Sequence, residues 1–246
     1  MPDMHTLCAN INTAKKEFIV QYEKSLEWNK VLELETELAF RAERAFFEKN
    51  KDWYVGMMKK LGKPALIEIF DTRYAYFITK FECNFIDNMG KASTLSTVQI
   101  DVENAETYDI NYVDKDGSKK KPIILHASIS GSIDRVVYSL LENEAAKIAK
   151  NQTPMFPLFL SPIQVRVIPF SPLSKDHIKA AKSILRKLQK GNIRVDVDDR
   201  NETIGKRIRD AETEWIPYTI VLGDREIKEG KLSVRVRGKK DVEVTD

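Results

Sequence analysis

The stretch from Ile123 to Glu142, IILHASISGSIDRVVYSLLE, constrains this chain most, because it joins an apolar strand to an amphipathic helix and puts polar groups at the joint. Ile123-Ile124-Leu125, after Pro122, is a β-branched and apolar run suited to a strand covered on at least one face, and His126 ends it. Gly131-Ser132 supplies a turn and a helix N-cap; Ile133, Val136, Val137, Leu140 and Leu141 follow at helical spacing. Arg135 falls in the first turn of that helix, where a cation opposes the helix dipole. Two roles stay open for it: a surface ion pair with Asp134 or Glu142, or a planar clamp for a polyphosphate beside free helix-start N–H groups.

A chain of 246 residues holds one large or two ordinary domains, and two are expected. With 42% hydrophobic and 31% charged residues, and no apolar run near the roughly 20 residues that span a bilayer, it reads as globular and cytoplasmic, with no membrane partner. Cys8 and Cys83 sit in unlike contexts and are expected as reduced thiols. A net charge of +3 is too small to prove a nucleic-acid partner, so local clusters matter more: Lys119 to Lys121, Lys206-Arg207 with Arg209, and Arg235 to Lys240.

In chain order, Asp3 and His5 precede any secondary-structure signal, and His5 with Cys8 makes at most half a metal site. Thr13 to Asn29 reads as a helix with Ala14, Phe18, Tyr22 and Leu26 inward, and Val31 to Arg41 alternates as a strand. A second helix carries Phe46, Phe47, Trp53, Met57 and Leu61 as core and stops at Gly62 before Pro64. Strands near Ala65 to Phe70, Arg73 to Cys83 and Leu95 to Val102, an Asp116-Gly117 hairpin, and the strand ending at His126 predict an antiparallel sheet. Residues 1–150 are therefore read as one α+β domain and the proline-bearing stretch 151–162 as a linker. Residues 163–246 form an α/β domain with a mainly parallel sheet: strand Gln164 to Phe170, helix Ser174 to Gln189, strand Ile193 to Val197, helix Glu202 to Ala211, strand Pro217 to Leu222 and strand Lys231 to Val236.

These residues together resemble the class II aminoacyl-tRNA synthetases, and among them threonyl-tRNA synthetase of the archaeal kind, over nearly the whole chain. HASISGSIDR resembles the third class II signature, and VDVDDRNETIGKRIRDAETEWIPYTIVLGDREIKEGKLSVRVR is similar to the shared anticodon-binding domain without a gap. The resemblance implies a partial antiparallel catalytic domain followed by a three-layer α/β anticodon-binding domain. It implies ATP-dependent activation of threonine and transfer to tRNA(Thr), with Mg2+ accompanying ATP. Arg135 then binds the γ-phosphate, and Ser132 lies beside the substrate in the same signature. His5 and His126 match two of the three ligands of a catalytic zinc, Asp3 the carboxylate at the substrate amine, and Gln99 and Tyr76 side chains near the substrate. Asn201, Arg209, Glu226 and Arg235 match positions that contact anticodon bases, Glu226 and Arg235 on adjacent strands of a hairpin. Cys8 is not a family ligand. The first two class II signatures and the zinc-binding cysteine are not found before PDMH, so the chain is expected to be inactive alone. It is expected to work as part of a homodimeric enzyme or with a chain supplying the missing half; the alternative is a non-catalytic tRNA-binding or accessory protein.

Overall fold

Alternating and helical patterns in the first part of the chain build a six-stranded sheet with helices on one face. The computed structural model describes residues 1–239 and 242–245. Lys240, expected in a basic cluster, lies outside the described residues. The chain divides into two units, Met1–Asn143 and Glu144–Asp246.

The first unit comprises β1 (Met4–Cys8), α1 (Ile11–Val31), β2 (Glu37–Glu43), α2 (Arg44–Lys49), α3 (Lys51–Leu61), β3 (Ala65–Phe70), β4 (Phe77–Ile86), β5 (Ala92–Asp101), α4 (Asn104–Thr107), β6 (Tyr112–Val113), β7 (Lys119–Lys120) and β8 (Ile123–Ser128). Helix α5 (Ile133–Ala149) begins here. The sheet order is β1-β8-β5-β4-β2-β3, antiparallel except for the β2–β3 pair. Ala14, Phe18 and Tyr22 of α1 pack with Phe40, Phe81, Val98 and Ile100 from one face of the sheet, and Phe46, Tyr54 and Met57 complete this core. Tyr54 fixes its place by donating to Thr79 Oγ1 at 2.7 Å.

Several boundaries differ from the sequence reading, each for a physical reason. Residues 4–8 form an edge strand that gives no sequence signal, since five residues hold too few alternations to register. Helix α1 runs on to Val31, and the strand expected from there starts at Glu37. Leu32, Leu34, Thr36 and Leu38 are all buried, so the alternation reported burial rather than ladder pairing. The second helix is two, broken at Asn50, whose Nδ2 donates to the Phe46 carbonyl while its own carbonyl accepts the Trp53 N–H. β4 and β5 begin a few residues away from their expected starts. The Asp116-Gly117 turn does close a hairpin, β6–β7, with Gly117 at φ 82°, but as a separate two-stranded ribbon. β8 continues past His126 to Ser128, which donates to the Pro2 carbonyl. On α5, Leu140 is buried, but Ile133, Val137 and Leu141 are exposed. Helical spacing identifies an apolar face, not what covers it.

The second unit contains β9 (Val165–Pro169), α6 (Lys175–Lys190), β10 (Val195–Val197), α7 (Ile204–Thr213), β11 (Tyr218–Leu222), α8 (Asp224–Glu229), β12 (Leu232–Val236) and β13 (Val242–Thr245). Its order is β10-β9-β11-β12-β13; the first three strands are parallel, and β12 and β13 extend the sheet antiparallel. Ser174, read as the first residue of the helix, instead caps α6 by accepting from His177 N–H, and Thr203 caps α7. The core joins Val165, Val167, Val195, Ile220 and Leu222 to Ala181, Leu185 and Leu188 of α6. The short helix α8 stands where a plain turn was expected between strands, and β13 was not anticipated.

Candidate functional site

Strand pleating sends Val98 and Ile100 into the core and Gln99 to the opposite face, where a polar row crosses the whole sheet. Direct register partners put His5 beside His126, His126 beside Gln99, Gln99 beside Lys80, Lys80 beside Arg41, and Arg41 beside Glu68. Six strands thus contribute one polar side chain each to the row. The two imidazoles meet edge to face, with centroids 4.6 Å apart. Asp3 reaches His5 Nε2 at 3.7 Å, and ligand atoms of Asp3, His5 and His126 lie within 4.8 Å of one another.

Behind this trio stands Asp101, which the sequence reading missed. Its carboxylate is buried and meets His126 Nε2 at 2.7 Å. It also accepts the N–H groups of Glu103 and Asn104 and the Asn104 side-chain amide. Burial pushes this carboxyl upward, but the N–H groups of Asn104 and Glu103 and the His126 ring outweigh it and hold the group below the ordinary aspartate range. An ionised acceptor at Nε2 fixes the proton there, leaving Nδ1 of His126 as the lone-pair donor. Asp101 lies two residues beyond Gln99 on the same strand face, and that spacing was the available signal.

Tyr76 borders the row, with its ring 5.1 Å from that of His126 and its hydroxyl donating to Gln99 Oε1 at 2.6 Å. Burial, with Asp101 and Asp3 adding to it, raises the phenol, so it stays protonated and available as a donor. Cys8 lies elsewhere: it belongs to the opposite face of β1, is buried in the core, and its thiol is pushed up by burial and by Glu17.

Arg135 is exposed on α5 and donates to the Thr94 carbonyl at 2.9 Å, rather than pairing with Asp134 or Glu142; Glu142 instead accepts from Asn88. Thr94 stands five residues from Gln99 on β5, roughly 17 Å along the strand. Ser132 contributes its carbonyl to the first turn of α5, accepting the Val136 N–H. Gly131 ahead of it is held at φ 71°, and a Cβ there would meet the Leu95 carbonyl oxygen at 2.6 Å. The strand-to-helix joint thus depends on a glycine in close backbone contact with β5.

In the second unit Asn201, Arg209 and Arg235 are all exposed. Arg235 stands between Thr219 and Val242 across the sheet. Glu226 is not on a strand facing it: it lies in α8, accepts the Gly223 N–H at 3.0 Å, and takes a 2.7 Å bond from Ser233 Oγ. These donors hold its carboxyl below the ordinary glutamate range. The cluster Lys206-Arg207-Arg209 is also not one basic patch. Arg207 is fully buried and donates to the carbonyls of Pro169, Asp198 and Phe170. Likewise Lys120 pairs with Asp114 and Lys121 with Asp109, which neutralises most of that run locally. Among the described residues no helix is long and apolar enough to cross a membrane.

Residues 164–245 match the family described as Anticodon binding domain. Over 98% of its length the chain is 47% identical to a threonine–tRNA ligase of Methanosarcina acetivorans, and over 96% it is 50% identical to one of Methanothrix thermoacetophila. In both cases it spans 38% of the relative's length. Its fold is similar to the RNA binding domain of threonyl-tRNA synthetase from Cryptosporidium parvum, with a TM-score of 0.78 at 22% identity over 98% of this chain and 60% of that one. It is also similar to prolyl-tRNA synthetase of the same organism, with a TM-score of 0.69 at 16% identity over 99% of this chain and 44% of that one. The architecture is that of class II synthetase domains, an α+β unit followed by an α/β anticodon-binding unit.

Proposed function

From a chain related over nearly its whole length to threonine–tRNA ligases, and carrying an anticodon binding domain, we propose a share in threonine activation on the polar sheet face and selection of tRNA(Thr) by the second unit. The observation that carries this reading is the juxtaposition of His5, His126 and Asp3 at one end of that face. Two imidazoles and a carboxylate make a donor set that fits zinc, with His126 pre-oriented by Asp101. His5 and His126 would hold the ion, and Asp3 would either complete the set or accept the substrate ammonium. Zinc bound there supplies a Lewis acid for an amine and its neighbouring hydroxyl, the one chemical difference between threonine and its isostere valine.

The protein's own groups do the rest. Tyr76 and Gln99 present a linked donor and acceptor next to His126, suited to orienting a polar substrate. Arg135, steered by the Thr94 carbonyl, offers a guanidinium for the phosphates of Mg-bound ATP, which acts through charge and positioning rather than by covalent chemistry. Asn201, Arg209, Glu226 and Arg235 are assigned to the anticodon. Glu226 acts as an ionised acceptor held by Ser233, and Arg235 as a donor to base edges of unstacked nucleotides. A cytoplasmic assembly, as a homodimer or with a chain that supplies the remaining elements, belongs to the same reading.

The test of the tRNA half compares tRNA(Thr) with the same tRNA carrying an altered anticodon. The chain should prefer the first, and Arg235→Ala should erase most of that preference, a loss of roughly 1–3 kcal/mol. Equal weakening for both RNAs would assign Arg235 to phosphate, and no preference in the parent chain would contradict the reading.

A further inference from the structure

Helix α6, KDHIKAAKSILRKLQK, holds six lysines and arginines against one acidic residue, Asp176. Its net +5 exceeds the +3 of the whole chain, so the remainder of the protein is net acidic. The charges are also ordered. Lys175, Lys179, Lys182, Arg186 and Lys190 recur every three or four residues, which places them in a stripe about 80° wide and roughly 22 Å long. All are exposed, and among the described residues none is paired with a carboxylate. Elsewhere some surface lysines, among them Lys24, Lys60, Lys120, Lys121, Lys206 and Lys239, have an acidic partner, whereas others such as Lys16, Lys59 and Lys63 have none among the described residues; what sets the α6 cations apart is their regular spacing along one helix face. Like charges at this spacing destabilise an isolated helix by a few tenths of a kcal/mol per pair, so an unneutralised stripe works against its own helix.

We propose that the outer face of α6 is a second RNA-binding surface, one that takes the phosphate backbone without reading sequence. Asp176 and Asp224 lie near the Lys179 end, but none of the five cations is ion-paired with either, and an ordered row of unpaired cations complements a row of phosphates. The apolar side of the helix is committed to the core against β9 and β10, and the stripe between the lysines carries Ser183, so this helix has no free apolar side with which to lie in a membrane. A shallow groove of about 460 Å³ runs along it, with Lys175, Lys179, Lys182 and Arg186 on its basic side and Pro172, Leu173 and Ile178 as its apolar lining. The surface is on the other face of the sheet from the proposed anticodon contact Arg209 on α7, while Glu226 lies on α8, which packs beside α6. In the order β10-β9-β11, right-handed crossovers from β9 to β10 and from β10 to β11 run in opposite directions, which puts α6 and α7 on opposite faces of the sheet.

The test is salt-dependent binding of tRNA(Thr) and of an unrelated RNA hairpin by the full chain and by the triple variant Lys179→Ala, Lys182→Ala, Arg186→Ala. Alanine is the strongest helix former, and a matching thermal melt confirms that α6 persists. Loss of three phosphate contacts should flatten the log–log salt slope by about two to three. The parent chain would then lose roughly forty-fold more affinity than the variant between 50 and 200 mM salt, for both RNAs alike. Unchanged slopes and affinities would reduce the stripe to a solvated face and overturn the proposal. So would phosphatidylserine vesicles that bind the parent and not the variant while RNA binding stays the same. If Arg235→Ala leaves anticodon preference intact and the triple variant still flattens the slope, the proposal stands and the anticodon assignment falls.

Discussion

Arg207 ends its guanidinium on three backbone carbonyls, at 2.9 Å to Pro169, 2.9 Å to Asp198 and 3.1 Å to Phe170, and so ties the ends of β9 and β10 to α7 from inside the protein. Lysine keeps the charge but not the planar fork, so Arg207→Lys should leave at least one of those buried carbonyls unsatisfied. A loss of about 2–4 kcal/mol in urea unfolding is expected; a change below about 0.5 kcal/mol would show that water substitutes for the fork. Beside it, Asp198 is buried and receives two bonds from the Arg200 guanidinium, which together with the Arg200 N–H outweigh burial and hold its carboxyl below the ordinary value of 3.8. A depressed folded value means a contribution fully present above the unfolded pKa and lost as pH falls through the folded one. Unfolding free energy measured from pH 6 down to pH 3 should therefore fall less steeply for Asp198→Asn than for the parent. Parallel acid limbs would place the stabilisation elsewhere.

At the scale of elements the decisive joint is the turn from β8 into α5. Ser96 donates to the Ile129 carbonyl, and Gly131 passes over Leu95 so closely that any Cβ strikes backbone, which cannot swing aside. Gly131→Ala adds left-handed strain to that clash and should cost more than about 2 kcal/mol, read from the shift in a denaturation midpoint. An effect within experimental error would mean the loop repacks freely. This joint was legible in the sequence, because a short apolar strand, a glycine and a helical pattern in sequence admit few other structures. So were the α1 face of Ala14, Phe18 and Tyr22 and the alternation of β9, α6, β10, α7 and β11. Other features were not, since they depend on partners distant in the chain. Edge strand β1 is defined by pairing with β8, more than a hundred residues away, and Arg207 looks like any surface arginine until carbonyls from two other loops surround it. The α6 stripe, by contrast, is legible in the sequence, as lysines and an arginine recurring at helical spacing on the side opposite Ala181, Leu185 and Leu188.

For the whole molecule, the first unit supplies a six-stranded sheet whose polar face begins with two histidines, and the second matches the anticodon binding domain family. The resemblance placed His5, His126, Gln99 and Tyr76 in one site from motifs far apart in the chain; strand register brings the first three together, and Tyr76, just ahead of β4, joins them through its hydrogen bond to Gln99 and its ring contact with His126. It did not foresee Asp101, because its motifs name groups that touch substrate or metal and not those that orient them. The central claim is that this face serves threonine activation. The most direct measurement is threonine-dependent exchange of pyrophosphate into ATP by this chain mixed with the remaining portion of a related threonine–tRNA ligase. Exchange above that of either part alone is predicted, with His5→Ala, a change on an exposed edge strand, reducing it at least a hundredfold while tRNA binding persists. Exchange that ignores His5→Ala, or no exchange from the mixture while tRNA(Thr) still binds, would contradict the claim and leave the chain a tRNA-binding protein.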